Sequence, residues 1–176
     1  MLALLYRRLR YGYAFRRIAL TRGKYAIVDP EDYEELAKYR WHAVKSRNTF
    51  YAVRCSRQDK NGARNHYQMH REIMKIEGNK VCDHINGNGL NNRKANLRPA
   101  TRAQNGWNQG KSKVKSRSRY KGLAWDSKDK RREVRISVNG RRIYIGRFED
   151  QMEAARTYDR AANKYHGRFA NVNFET

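Results

Sequence analysis

The sequence predicts an α+β chain in two parts. The first part closes on a strand, a loop, a second strand and a helix. The second is a small three-stranded antiparallel sheet packed on one helix. Three observations predict this. Residues 81–105 run from an apolar step through a loop crowded with Asn and Gly to a second apolar step and a helix start. Residues 133–148 alternate between apolar and basic or aromatic side chains on either side of Asn139-Gly140. Residues 150–167 carry small and aromatic residues at helical spacing.

The elements follow in chain order. Residues 1–16 are basic and weakly apolar, and the stretch LALL is too short for a secretory signal core. They are expected to be a floppy basic arm, or an overlong start of the reading frame. Short β-type runs follow, RIALT, KYAIV and FYAVRC. The acidic segment DPEDYEELAKYRW precedes the last of them; Asp29 or Pro30 opens it as a helix, with Tyr33, Leu36 and Ala37 on the inner face. The stretch from Trp41 to Arg54 is expected to be a hairpin turning around SRNT. YQMHREIMKI, 67–76, suits a short helix with Met69, Ile73 and Ile76 on one face. KVCDHI is the next strand, NGNGLNNRKA a loop of turn formers and NLRPA the strand that returns. Thr101 and Gln104 then form a capping box, which puts Asn105 in the second turn of a helix.

Residues 111–118 alternate Lys or Arg with Ser and hold nothing that could build a core. They are expected to be a linker that can lie along a phosphate backbone. The organisation is therefore a basic arm over 1–16, a first domain over 17–110, the linker over 111–118 and a second domain over 119–176.

The second domain is the more regular. Asn139-Gly140 is a strong two-residue hairpin signal, because a type I′ turn needs positive φ at both positions. The turn fixes the register: Val138 faces Arg141, Ser137 faces Arg142, Ile136 faces Ile143 and Arg135 faces Tyr144. One face is then apolar, with Val134, Ile136, Val138, Ile143 and Ile145. The other carries Arg135, Ser137, Arg142 and Tyr144, with Arg147 further on. A helix capped by Asp150 and Glu153 supplies the cover through Ala154, Ala155, Tyr158, Ala161, Ala162 and Tyr165, and Gly167 ends it. YKGLAW, 120–125, is the remaining strand. The uncovered face is rich in Arg and Tyr, and a β-ribbon of that kind fits the major groove of double-stranded DNA.

Charge narrows the partner. The 176 residues hold 40 Lys and Arg against 17 Asp and Glu, a net charge of +23 spread along the whole chain. A polyanion is the natural partner, and nucleic acid is the first candidate. Two cysteines are too few for a disulfide framework or a Cys-rich zinc site and point to a reducing cytoplasm. No apolar run approaches the ~18 residues of a membrane span.

Residues 119–174 resemble the plant Apetala-two (ethylene-response-factor) DNA-binding domain, through YKGLAW, IYIGRF, EAARTYDRAA and GRFANVNF. The resemblance puts groove-facing positions at Lys121, Trp125, Arg135, Arg142 and Tyr144. Ala124 and Asp126 stand where plant members often have arginines, so the plant proteins' sequence preference does not carry over.

Residues 17–110 resemble HNH nucleases of the phage and intron homing type, through MHREIM, DHINGN, NN, NLR and the Thr101–Asn105 spacing. That resemblance implies a ββα-metal arrangement and gives each residue a role with a physical reason. Asp83 offers a hard oxygen to a divalent metal, and Asn105 a second oxygen where many members have His. Oxygen ligands favour Mg²⁺ or Mn²⁺ over Zn²⁺. His84, on the opposite side of the strand from Asp83, is the general base for the attacking water. Asn96 hydrogen-bonds the loop backbone and holds His84 in place. Arg93 and Arg98 are placed for phosphate contacts. His42, His66 and His166 read as structural, and His70 as a supporting residue.

One centre per chain implies a nick in one strand by a monomer; a dimer would be needed for concerted double-strand cleavage. Two other functions fit the charge: a sequence-specific DNA-binding regulator with an inactive nuclease fold, and an RNA-binding structural protein. The set Asp83, His84, Asn96 and Asn105 separates the nuclease from the regulator. The bare basic ribbon separates both from the RNA-binding protein.

Overall fold

The computed structural model describes residues 2–46, 48–58, 60, 62–111 and 118–174. The chain forms two compact units, Met1–Pro99 and Ala100–Thr176.

The first unit does not begin with a floppy arm. Leu2–Tyr11 is a helix, α1, with no buried residue. Its sequence, LALLYRRLRY, is made mostly of strong helix formers, and Arg7 ties it to the following segment by donating to the Phe15 carbonyl at 2.6 Å. Gly12, at φ 77°, ends it. Strands β1 (Arg16–Ala19) and β2 (Tyr25–Val28) then pair antiparallel. Ile18, Ala26 and Val28 are buried on their inner side.

Helix α2 (Pro30–Ala37) opens at Asp29, as Pro at the first position favours. Leu36 is buried and Tyr33 packs on the core, but Ala37 is exposed because the helix ends there. Strands β3 (His42–Lys45) and β4 (Phe50–Cys55) form the expected hairpin, tied by Ser46 N–H to the Thr49 carbonyl. Strand β5 (His66–Gln68) pairs with β4, so helix α3 (Met69–Met74) starts two residues later than its apolar spacing suggests. Tyr67 and Gln68 are held in the sheet opposite Arg54 and Val53. The core joins Ile18, Ala26, Val28, Leu36, Trp41, Ala52 and Met69.

Strand β6 (Val81–His84), the Asn-rich loop, a 3-10 turn at Lys94–Asn96 and strand β7 (Leu97–Ala100) follow, with β6 and β7 paired. Helix α4 (Arg102–Asn108) has both halves of its capping box, Thr101 with Gln104. The order is therefore strand, loop, strand, helix. The boundary between units falls before α4, ahead of the domain end expected at 110. The reason is packing: Trp107 stacks on His166 at 4.4 Å, and the Lys121 ammonium donates to the Trp107 and Gln109 carbonyls at 2.6 and 2.7 Å. Of the linker expected over 111–118, residues 112–117 lie outside the described residues.

The second unit is a sheet in the order β10-β9-β8, formed by β8 (Leu123–Asp126), β9 (Arg131–Val138) and β10 (Arg141–Phe148). The four expected pairs from Val138–Arg141 to Arg135–Tyr144 are all present. A bulge follows, so that Gly146, not Ile145, faces Val134. That slip returns Arg147, opposite Glu133, to the face of Arg135. Helix α5 (Gln151–His166) covers the apolar face through Ala154, Ala155, Tyr158, Ala161 and Ala162. Tyr165, expected in that stripe, is exposed, and His166 is buried in its stead with Nε2 2.9 Å from the Ser137 carbonyl. Buried Asp159 accepts the Asn173 and Phe174 N–H groups at 2.8 and 3.0 Å and fastens the tail.

Candidate active site and nucleic-acid face

The Asn-rich loop explains its own composition. Asn86 Oδ1 accepts from Asn88 N at 2.9 Å and Asn88 Oδ1 from Leu90 N at 3.0 Å, two successive side-chain turns. Asn96 Oδ1 accepts from Asn86 N at 3.1 Å, and its Nδ2 donates to the Asn91 carbonyl at 2.8 Å. Gly89 is needed because a Cβ there would stand 2.5 Å from the Phe50 carbonyl oxygen. The loop is also zipped to β2: Ile27 N–H donates to the Leu90 carbonyl at 2.9 Å, and Asn92 N–H to the Ile27 carbonyl at 2.8 Å.

This loop backs two adjacent buried side chains at the end of β6. Asp83 is 3% exposed and His84 4%. Asp83 Oδ2 accepts from Arg98 Nε at 2.8 Å, so Arg98 is held on the carboxylate rather than reaching outward. Arg93 lies 3.3 Å over the Tyr13 ring and donates to Asn91 Oδ1. His84 Nε2 is 3.2 Å from Asn92 Oδ1. The His70 ring meets that of His84 edge-on at 4.9 Å, and Tyr51 stands 5.7 Å from His84.

Burial holds these imidazoles neutral. It pushes the His84 pKa down, against the opposing pull of the Asn92 bond and the Asp83 charge. Burial, then the neighbouring charges of His84 and Arg71, push His70 down to about 3. Cys82, raised to about 11 chiefly by burial and then by Asp83, stays a thiol at neutral pH. Cys55 and Cys82 are both free.

The reading from sequence missed Asn92, which is fully buried and whose Oδ1 lies within hydrogen-bond distance of the His84 ring. Its signal was the Asn91-Asn92 doublet, noted only as part of a pattern. Asn96 braces the loop that carries Asn92. Tyr51, on β4, gave no sequence signal at all. Asn105 lies half-buried on α4, in the second unit, its N–H on the Thr101 carbonyl. Among the described residues, Asp29, Glu31 and Asp32 also cluster, but Lys94 answers all three through its backbone N–H and its ammonium.

On the second unit, Arg135, Arg142 and Tyr144 share the exposed face of the sheet. Arg135 is paired there with Glu133 at 2.8 Å. Trp125 is not on that face: it stands opposite Arg132, two residues from buried Val134, and therefore points to the helix side. Arg132 lies 5.2 Å over its ring. Lys121 is also withdrawn, its ammonium bonded to the two carbonyls at the end of α4.

Comparison with known proteins agrees with both halves. A family model described as HNH endonuclease matches residues 74–107. The APETALA2-like protein 2 of rice is 40% identical over 57 residues, 32% of this chain. The chain spans 13% of the length of that plant relative. An uncharacterized HNH endonuclease of Acanthamoeba polyphaga mimivirus is 29% identical over 90% of this chain and 80% of its own length. Protein 3.8 of Escherichia phage T7 is 33% identical over half of this chain and 71% of its own length. Among the described residues, no helix is long and apolar enough to cross a membrane. The HNH family match covers the stretch that builds the Asp83–His84 centre, and with the mimivirus relative it supports a nuclease.

Proposed function

We propose that the protein is a metal-dependent endonuclease that hydrolyses a phosphodiester bond of double-stranded DNA, nicking one strand while its second unit holds the duplex. The observation that carries this reading is the buried Asp83–His84 pair, with His84 oriented by Asn92 on a loop that Asn96 braces. A base must be neutral and fixed in direction to take a proton from water, and burial and Asn92 supply those two conditions.

The donor set fits a hard divalent cation. Asp83 is a buried carboxylate, a hard oxygen donor of the kind such cations take. Asp83 would hold Mg²⁺ or Mn²⁺, and a bound cation would supply charge stabilisation for the phosphate and the leaving 3′ oxygen. The chain's own residues do the rest. His84 takes the proton of the attacking water. Where Asn92 accepts from Nε2, the proton sits there and Nδ1 is the basic nitrogen. Arg142 and Tyr144 meet the duplex from the bare face of the sheet.

The test is conversion of supercoiled plasmid to open circle in Mg²⁺ or Mn²⁺, with DNA from the source genome as insert. Nicking supports the reading. The bond between Arg98 and Asp83 favours a second reading, a DNA-binding regulator in which Arg98 takes the place of the cation. Tight duplex binding without nicking in either metal selects that one.

Two further outcomes are expected. Asn92→Ala lowers kcat for nicking by about 10- to 100-fold with KM unchanged, because it frees the imidazole without touching DNA; steady-state nicking kinetics measure it. Arg142→Ala weakens duplex binding by about tenfold, the order of one good arginine contact. Fluorescence anisotropy at fixed salt reads that change.

A further inference from the structure

The outer side of β1 and β2 has no role in the reading above, yet it is built for a ligand. A cleft of about 410 Å³ lies there, within the range of ligand clefts. Tyr11, Tyr13, Phe15 and Tyr25 line it with rings, and Arg17 and Lys24 with charge; among the described residues no acidic side chain lines it. Asn88 and Leu90 of the Asn-rich loop form its far rim.

Three features of this cleft point the same way. Tyr11 and Tyr25 are 48% and 46% exposed, so two large rings stand open in a concavity. Tyr11, Tyr13 and Phe15 lie within 5.6–6.4 Å of one another, an aromatic cluster rather than scattered surface residues. Guanidinium groups already lie on these rings: Arg17 is 4.3 Å over Tyr25, and Arg7 is 4.8 Å over Phe15. The lining is cationic as well as aromatic, so it suits a ligand that is both anionic and flat.

We propose that this cleft is a stacking groove for unpaired bases of single-stranded DNA. In a duplex the faces of the bases are hidden in the stack, and a concave row of rings would meet only sugar and phosphate. A single strand offers both things the cleft is made for: bases with open π-faces for Tyr11 and Tyr25, and phosphates for Arg17 and Lys24. Arginine planes lying on rings extend the same platform. The groove is tied to the candidate active site through the backbone: Ile27, in its lining, donates its N–H to the Leu90 carbonyl and accepts at its own carbonyl from the N–H of Asn92, the partner of His84. A strand unpaired beside the cut would lie along it. The proposal rests on the nuclease reading for its choice of DNA, but its test does not depend on cutting.

The experiment uses the full chain and a short oligothymidylate carrying one 2-aminopurine, whose fluorescence falls when the base stacks on a ring. Wild type is expected to bind it with a marked loss of fluorescence. The double variant Tyr11→Ala/Tyr25→Ala is expected to bind about tenfold more weakly or worse and to lose the quench. Tyr11→Phe/Tyr25→Phe keeps both ring faces and is expected to keep affinity and quench. These rings lie outside the core, and circular dichroism checks that the fold persists. Unchanged affinity and quench in the alanine variant overturn the groove, as does affinity that falls with Lys24→Ala or added salt but ignores both tyrosines. Plasmid nicking in the same samples separates the two readings. The expected quench without nicking leaves the groove standing and removes the nuclease; nicking without the quench does the reverse.

Discussion

His84→Ala is expected to lower plasmid nicking by about 10³-fold, within the range for loss of a general base, while duplex binding stays at the wild-type level. The size follows from position. His84 is almost wholly buried on β6, next to the one buried carboxylate of that strand, and a side chain touches its ring from three directions: Asn92, His70 and Tyr51. Removing the imidazole also opens a cavity among those neighbours, so thermal stability must be measured alongside. His70→Ala is the control. Its ring packs on His84 and its Nδ1 is buried without a hydrogen-bond partner, so its loss loosens the base without removing it. Nicking by His70→Ala should fall much less. Equal losses in the two variants would show that the cluster acts only by packing. Wild-type nicking by His84→Ala would place the base elsewhere and sink the Asp83–His84 reading.

The legible parts of this chain are those in which short-range chemistry decides. Asn139-Gly140 gave the hairpin and its register because two positive φ angles leave few turns to choose from. Thr101 and Gln104 gave a helix start for the same local reason. Legibility stopped where a distant residue decides. Asn92 reaches His84 only because its N–H is tied to Ile27, 65 residues earlier, and nothing within the loop states that. Lys121 was placed in the groove by the resemblance; the carbonyls that capture its ammonium lie at the end of α4. Trp125 was placed in the groove by the same resemblance, whereas its pairing with Arg132, two residues from buried Val134, turns it to the helix side. The bulge at Ile145 hid for the opposite reason: a perfect alternation in sequence does not exclude an extra residue, and only Arg147 being out of step hinted at one.

Gly122→Ala is expected to destabilise the second unit by about 3 kcal/mol or more, roughly 10 °C or more in Tm for a unit of this size. Two costs coincide there. Gly122 has φ +81°, which an L residue adopts only with strain. A Cβ at that position would also stand 1.9 Å from the Tyr158 ring, and that ring lies in the buried face of α5. A second substitution tells the costs apart. In a Tyr158→Ala background the ring is gone, with the Cγ that would stand 2.6 Å from the new Cβ, so Gly122→Ala should cost only the backbone part, about 1–3 kcal/mol. Denaturant melts of the four proteins give the coupling directly. A large coupling means that Gly122 is there to let α5 sit close on the sheet, which is also what leaves the opposite face bare for DNA. No coupling means that the turn geometry alone demands glycine, and the close approach of Tyr158 is its consequence. In either case duplex affinity should fall in step with the folded fraction of this unit, because Arg142 and Tyr144 act only from a formed sheet. Duplex affinity that survived loss of the sheet would show that the basic ribbon is not the docking face.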